Sequence, residues 1–590
     1  MAIHLAPAAV YLALGFIIYT VGRLFQFIKS AKATGLPYVV VPFLETEIIS
    51  QLLTPFLRNL YFTHLDKGEG WPRWCRFMIR DWSWEDKRRA YDEYGDVFLV
   101  VSPQGIICYC ADAAMAFDVM NRRYDFTKPR DKYQPYGPNV FTAEGSTYSF
   151  HVRMVAPSFG DNTGVNELVW QETSRQTELL LDRWTKKTPK NLDTDINALT
   201  LAIISLAGFG KRLESVEEQE QDIPPGYRVS FLTALRNTTR FILPILLFPM
   251  WLLDFMPWYS EASLAKGQLD KYLRTLIQKE RAKGGGEEQD NNNNNRTDLD
   301  LVSRANLLHA VVHAVEGEEG REHLQQTNKN GGGKGNGRRK EKKHGFTEDE
   351  VMGNLFIYML AGYETTANSI QYGLLVLAAN PDIQSKVTAE IDRVYDEAAL
   401  EGRHALTYNE DFAKLEYTFG YMYETFRLYP GVVVITKMCT DAQKMQTDND
   451  NMPQSFILPA GCRVYLSSPG THYNPRYWED PSELRPERWL TDKFPFSGPV
   501  VAADKTRQMR GTLLTFSDGA RACLGRKFAQ AEYMAFFATL LRRFEVGFAP
   551  GADVAKLKSD LDNKSAGKIV SLTPLSGFPL ELKQRKVVVW

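Results

Sequence analysis

The chain lacks the features that would place it in several large classes of protein. Lysine and arginine together number 70 against 71 aspartates and glutamates, which leaves a net charge of −1. Without a basic excess, nothing argues for nucleic acid as a partner. Cysteine is scarce: Cys75, Cys108, Cys110, Cys439, Cys462 and Cys523, with no C-x-x-C pair and no zinc spacing. That excludes a disulfide framework for a chain of 590 residues, and reduced thiols suit the cytosol. Cys108 and Cys110, two apart on a strand, are expected to face the same side. Basic residues are missing ahead of the one long apolar run near the N-terminus, where a cleaved signal peptide would carry them. Apolar residues are nearly absent from 284–296, with its three glycines and five consecutive asparagines, and from 316–344, with GGGKGNG and then RRKEKKH. Such stretches cannot offset chain entropy by burial, so they read as low-complexity insertions.

What is present supports a large core. The chain is 44% hydrophobic and 12% aromatic. Leu5 to Gly22 is uncharged and just long enough to span a bilayer, and Arg23, Lys29 and Lys32 follow it. The positive-inside rule puts the N-terminus in the lumen and the rest in the cytosol. Residues 1–28 therefore read as a single-pass transmembrane anchor. Residues 29–70 read as a proline-containing hinge (Gly35-Leu36-Pro37, then Pro42) that includes a membrane-contacting amphipathic segment at 43–62. Residues 71–590 read as one large domain.

Three segments carry the chemistry. Phe516-Ser-Asp-Gly519-Ala-Arg521-Ala-Cys523-Leu-Gly525 is a loop running into an apolar helix expected over 524–546. Its spacing, F-x-x-G-x-R-x-C-x-G, resembles the haem-binding loop of the cytochrome P-450 family. The second segment, 347–380, reads as one helix of about 50 Å. Thr347-x-x-Glu350 is a capping box at its start, Phe346 and Val351 form a staple, and Asn380-Pro381 ends it. Midway, Ala361-Gly362-Tyr363-Glu364-Thr365-Thr366 places two small residues, which open a groove, ahead of an acid and an alcohol that can pass protons. This resembles the family's oxygen-binding motif. Third, Glu424 and Arg427 are spaced to share a helix face, and Pro486-Glu-Arg488-Trp489 follows about 60 residues later. The same pairing of motifs occurs in the family, where it forms a buried charged network behind the haem.

The resemblance covers roughly residues 70–590 and implies a mainly α fold with small β-sheets (α+β). It implies a haem b group held by Cys523 as thiolate ligand to iron, which favours O–O cleavage. Phe516, Gly519, Arg521 and Gly525 shape the loop, and Arg521 suits a propionate. Lys437 stands where the family often has a propionate-binding arginine. The family's W-x-x-x-R helix is altered here: Tyr148 replaces the tryptophan, Val152 the arginine, and Arg153 is turned by about 100°. Tyr148 and His151 are the remaining candidates for that contact. Glu364 and Thr365 take the catalytic role, and Glu424, Arg427 and Arg488 a structural one. The implied function is a monooxygenase in the endoplasmic reticulum membrane that inserts one atom of O₂ into a hydrophobic small molecule. Its electrons come from an NADPH-dependent flavoprotein reductase, with cytochrome b5 as a second donor. Substrate contacts are expected from 133–139, 241–258, Tyr363, 431–436 and 572–578, all apolar-rich. Lys505, Arg507, Arg510, Arg526 and Lys527 suit an acidic electron donor. The asparagine run and insertions suggest a fungal source and secondary metabolism. Alternatives on the same residues are a haem-thiolate isomerase or dehydratase, which needs no electrons, a fatty-acid or xenobiotic hydroxylase, and a non-catalytic haem protein.

Overall fold

In a computed structural model, residues 5–60, 73–128, 136–186, 192–212, 223–257, 259–284, 306–309, 311–312, 346–448, 455–490, 510–565 and 571–586 are described. The expected insertions lie outside these residues apart from Gly284, as do Lys505, Arg507 and residues 133–135. The fold is mainly helical with small sheets. The chain divides into two compact units. The first comprises residues 1–129, 420–523 and 553–575; the second comprises 130–419, 524–552 and 576–590.

The first unit is built on a six-stranded sheet ordered β1-β2-β3-β8-β5-β4. Its strands are β1 (Tyr38–Val40), β2 (Val97–Ser102), β3 (Gly105–Cys110), β4 (Phe126–Thr127), β5 (Val434–Cys439) and β8 (Arg463–Ser467). β6 (Gln443–Gln446) and β7 (Ser455–Leu458) form a separate antiparallel pair. β2 and β3 make a hairpin in register Ser102↔Gly105. Alternation along these strands yields two cores, one on each face. Leu99, Cys108, Cys110, Cys439, Cys462 and Val464 share one, so Cys108 and Cys110 do face the same side. Phe98, Val100, Tyr109 and Tyr465 share the other.

The N-terminal helix (Leu5–Thr34) continues well past the expected anchor boundary. Leu24, Phe27, Ile28 and Ala31 pack on the first of these cores, which holds the helix's last turns to the sheet. Gly35, at φ +75, turns the chain straight into β1, which pairs in parallel with β2. Residues 38–40 of the expected hinge are therefore part of the sheet. The amphipathic helix Ile48–Arg58 docks through its polar face. Ser50 Oγ donates to the Met78 carbonyl at 2.6 Å, Thr54 Oγ1 accepts from the Arg80 N–H at 3.1 Å, and Arg58 pairs with Glu85 at 3.4 Å. Most of its apolar residues point outward, with Leu52 75% and Phe56 65% exposed, while Leu57 packs on the second core.

The second unit is a helical assembly. The long helix spans Glu348–Ala379, with Thr347 and Glu350 forming the reciprocal capping box and Asn380 at its end. It packs against Leu192–Phe209, a helix apolar and long enough to cross a membrane, of which 67% is buried. Gly373 lets the long helix approach Tyr533 and Phe537 closely. The helix after the cysteine loop is Arg526–Arg543, shorter than expected. At Phe544 the chain turns extended as β9 (Phe544–Phe548) and pairs antiparallel with β10 (Leu580–Gln584). A strand with a partner outcompetes a helical continuation in that aromatic and β-branched segment.

Candidate functional site

Each unit carries one set of the residues singled out above. In the first unit the cysteine loop is held at several points. Asp518 caps the Gly519 N–H at 2.7 Å, and Cys523 N–H donates to the Phe516 carbonyl at 2.8 Å. Gly519, at φ +66, sits 2.9 Å from Asn121 Oδ1 and the Met120 carbonyl by the position a Cβ would take, so no larger residue fits. Phe516 packs edge-on against Tyr423 and Phe426, at centroid distances of 6.3 and 5.8 Å. It therefore ties the loop to the Glu416–Leu428 helix. Cys523 is exposed, whereas the other five cysteines are buried or half-buried. Lys437 is buried on β5 opposite Val464.

Behind the loop lies a closed polar network. Arg427 uses all five guanidinium donors. Nε and Nη2 bind Glu424 Oε2 and Oε1 at 3.0 and 2.7 Å. Nη1 donates to the His472 and Pro481 carbonyls at 2.8 and 2.6 Å, and Nη2 also to the Glu483 carbonyl at 3.0 Å. Glu424 additionally accepts from Arg488 Nε at 3.1 Å, Trp489 Nε1 at 2.9 Å and the Arg485 N–H at 3.0 Å. Both Glu424 and Arg427 are fully buried. The Trp489 contact and the His472 carbonyl were not anticipated from sequence. A motif reveals which charges pair, but not which carbonyls a fold delivers to the leftover donors.

In the second unit the long helix is buried along most of its length, with a break at its centre. Ala361 is exposed, Gly362, Tyr363 and Thr365 are half-buried, and Glu364 and Thr366 are buried. Thr365 Oγ1 donates to the Ala361 carbonyl at 2.7 Å and Thr366 Oγ1 to the Gly362 carbonyl at 3.0 Å. Such back-bonding loosens the local ladder. Tyr363 Oη donates to Thr239 Oγ1 at 2.9 Å, and burial raises its phenol pKa well above the usual range. Gly525 has an ordinary backbone (φ −82), and a Cβ there would meet only Phe159, at 4.0 Å. Among the described residues the backbone therefore does not require glycine at this position, in contrast to Gly519.

Tyr148 and His151 lie on the helix Gly145–Val155, both buried, and Arg153 is exposed. His151 is committed elsewhere than expected. Its Nδ1 accepts from Asn354 Nδ2 at 3.1 Å and its Nε2 donates to Glu350 Oε1 at 3.2 Å. Burial lowers its pKa, so it is neutral and has no ring nitrogen left for a propionate. It ties this helix to the capping box of the long helix, a contact that a family motif cannot reveal.

A family model described as Cytochrome P450 matches residues 77–565. The chain belongs to the cytochrome P450 family. It is 48% identical to Cytochrome P450 monooxygenase ORF6 of Penicillium roqueforti, over 97% of this chain and 96% of that one. Cytochrome P450 monooxygenase prx9 of Penicillium rubens is 48% identical with the same coverage. Among solved structures, one titled as the crystal structure of cytochrome P450DA heme domain superposes with TM-score 0.62 at 18% identity. It covers 86% of this chain and 93% of that one, a likeness of fold. The protein is thus an oxidoreductase, a haem-dependent cytochrome P450 monooxygenase.

Proposed function

We propose that the chain hydroxylates or otherwise oxygenates a hydrophobic small molecule in fungal secondary metabolism, with electrons from an NADPH-dependent flavoprotein reductase. Cys523, the one exposed cysteine among the six, would hold the haem iron as a thiolate. That observation supports the reading most directly, because a thiol at the end of a held loop and left exposed is placed to ligate a metal. When bound, the haem supplies O₂ activation, and thiolate ligation favours O–O cleavage. Arg521 and Lys437 are the cations for its propionates, with Tyr148 as a hydroxyl donor and Gly525 leaving room for the ring. Glu364 and Thr365 pass protons to the oxygen side. Glu424, Arg427 and Arg488 hold the loop's scaffold.

Residues 1–28 anchor the protein in the endoplasmic reticulum membrane with the catalytic part cytosolic. Two features support membrane contact. The N-terminal helix exposes Phe16, Ile18 and Phe25, and the amphipathic helix turns its polar face inward and its apolar face outward. A soluble surface helix does the reverse.

The test is turnover. Membranes holding the protein, a flavoprotein reductase, NADPH and O₂ should yield a product that carries one atom from labelled O₂. Product formation without NADPH would favour an isomerase or dehydratase instead.

A further inference from the structure

The Glu416–Leu428 helix ends with four carbonyls that have no partner within it, those of residues 425–428. All four are satisfied. Tyr429 N–H donates to the Thr425 carbonyl at 2.8 Å, Thr515 Oγ1 to Phe426 at 3.3 Å, and Tyr473 Oη to Leu428 at 2.9 Å. The Arg427 carbonyl accepts from His472 Nδ1 at 2.9 Å. The other nitrogen of His472 faces the cysteine loop: the Leu514 N–H donates to His472 Nε2 at 2.8 Å. A backbone N–H can only donate, so Nε2 is the acceptor and the ring proton sits on Nδ1. His472 is fully buried, and burial pushes its pKa down to about 3, which keeps the ring in this neutral form. Leu514 is itself clamped on both sides, since its carbonyl accepts from Ser517 N–H at 3.0 Å at the start of the turn that leads to Cys523.

We propose that His472 is a positioning residue for the thiolate loop: a single imidazole that caps the Arg427 carbonyl with Nδ1–H and fixes the Leu514 peptide with Nε2. This rests on the reading of Cys523 as the haem ligand. Neither Glu424 nor Arg427 reaches the Leu514 peptide among the bonds described, so His472 joins the Arg427 carbonyl to that peptide, beside the Thr515 hydroxyl and the Phe516 ring that also reach the helix. Its removal leaves the Leu514 N–H buried without an acceptor.

The experiment separates the two nitrogens in full-length, haem-loaded protein. His472→Gln places a carbonyl oxygen near Nε2 and keeps the acceptor for Leu514. His472→Asn places an amide nitrogen near Nδ1 and keeps the donor to Arg427 while stranding Leu514. The readout is the red-shifted Soret band of the reduced carbon monoxide complex, and its rate of conversion to the unshifted form in mild urea. The Gln variant should convert within about twofold of the parent, and the Asn variant about tenfold faster, as expected for one stranded buried N–H. Equal rates in Gln, Asn and parent would overturn the proposal. Acceleration in Gln but not in Asn would overturn it too, by assigning His472 to helix capping alone, and equal acceleration in both would deny the Leu514 contact a role of its own. Cys523→Ser is the control: if it retains the shifted band, the ligand reading fails, which is a different result from either of these.

Discussion

The Glu424–Arg427 network and the Ala361–Thr366 segment solve opposite problems. In the first, a fully buried guanidinium has every donor satisfied, by the Glu424 carboxylate and three backbone carbonyls, and the network ties together segments more than 60 residues apart in sequence. In the second, a helix otherwise buried is thinned by alanine and glycine, and its hydroxyls fold back on their own carbonyls. On the function proposed above, one region must hold still because it backs the loop that presents a thiol, and the other must leave space and keep a mobile proton. A buried network stabilises only when complete, whereas a groove works through what is missing.

The largest effect that would break this contrast lies in the network. Glu424→Ala strands the Arg427 charge, and the cost should be about 3–5 kcal/mol. Thermal unfolding and haem content should both collapse. A variant as stable as the parent would show that the network is not a scaffold.

Thr365→Ala should do the reverse. Stability should stay within about 0.5 kcal/mol, since the residue is half-buried and alanine is the better helix former. Product per NADPH should fall by roughly an order of magnitude, with electrons leaking as hydrogen peroxide. Thr366 is buried a further 100° round the helix, and Thr366→Ala should keep its coupling. If Thr366→Ala uncouples and Thr365→Ala does not, the proton path runs through the other hydroxyl.

Acid should weaken the rigid region. Unfolded, His472 takes a proton near its ordinary value of 6.5; folded, it resists until about pH 3. The unfolded chain therefore binds more protons between these values. The contribution is full above about pH 6.5 and is lost as pH falls towards 3, on the order of a few kcal/mol. Glu45 has the opposite sign. Burial, with the Asp81 charge nearby, raises it from 4.5 to about 8 against the opposing hydrogen bond from the Tyr109 hydroxyl, so its contribution is lost as pH rises through that window. Melting curves from pH 4 to 9 should show Glu45→Gln flattening the upper limb and His472→Gln the lower.

Much of this was legible in the sequence. The capping box, the limits of the long helix, the shared face of Cys108 and Cys110, and the pairing of Glu424 with Arg427 follow from spacing, because each depends on residues close in sequence or on one motif. The strand at 38–40, the end of the helix at Arg543 and the commitment of His151 to Glu350 were not legible. All three depend on a partner brought in by the fold: β2 for the first, β10 for the second, the long helix for the third. Hydropathy was equally blind to context, since Leu192–Phe209 could cross a membrane by composition but forms core.

The smallest effect concerns the membrane face. Leu52→Glu and Phe56→Glu replace exposed side chains and should change stability by less than about 0.5 kcal/mol. Binding of the detergent-free protein to anionic vesicles should nevertheless weaken severalfold. Unchanged binding would leave attachment to the N-terminal helix.

The central claim is that Cys523 is the thiolate ligand. Reduced Cys523→Ser protein under carbon monoxide should bind haem weakly and lack the red-shifted Soret band that the parent displays. A serine variant that keeps the band at parental intensity would contradict the account.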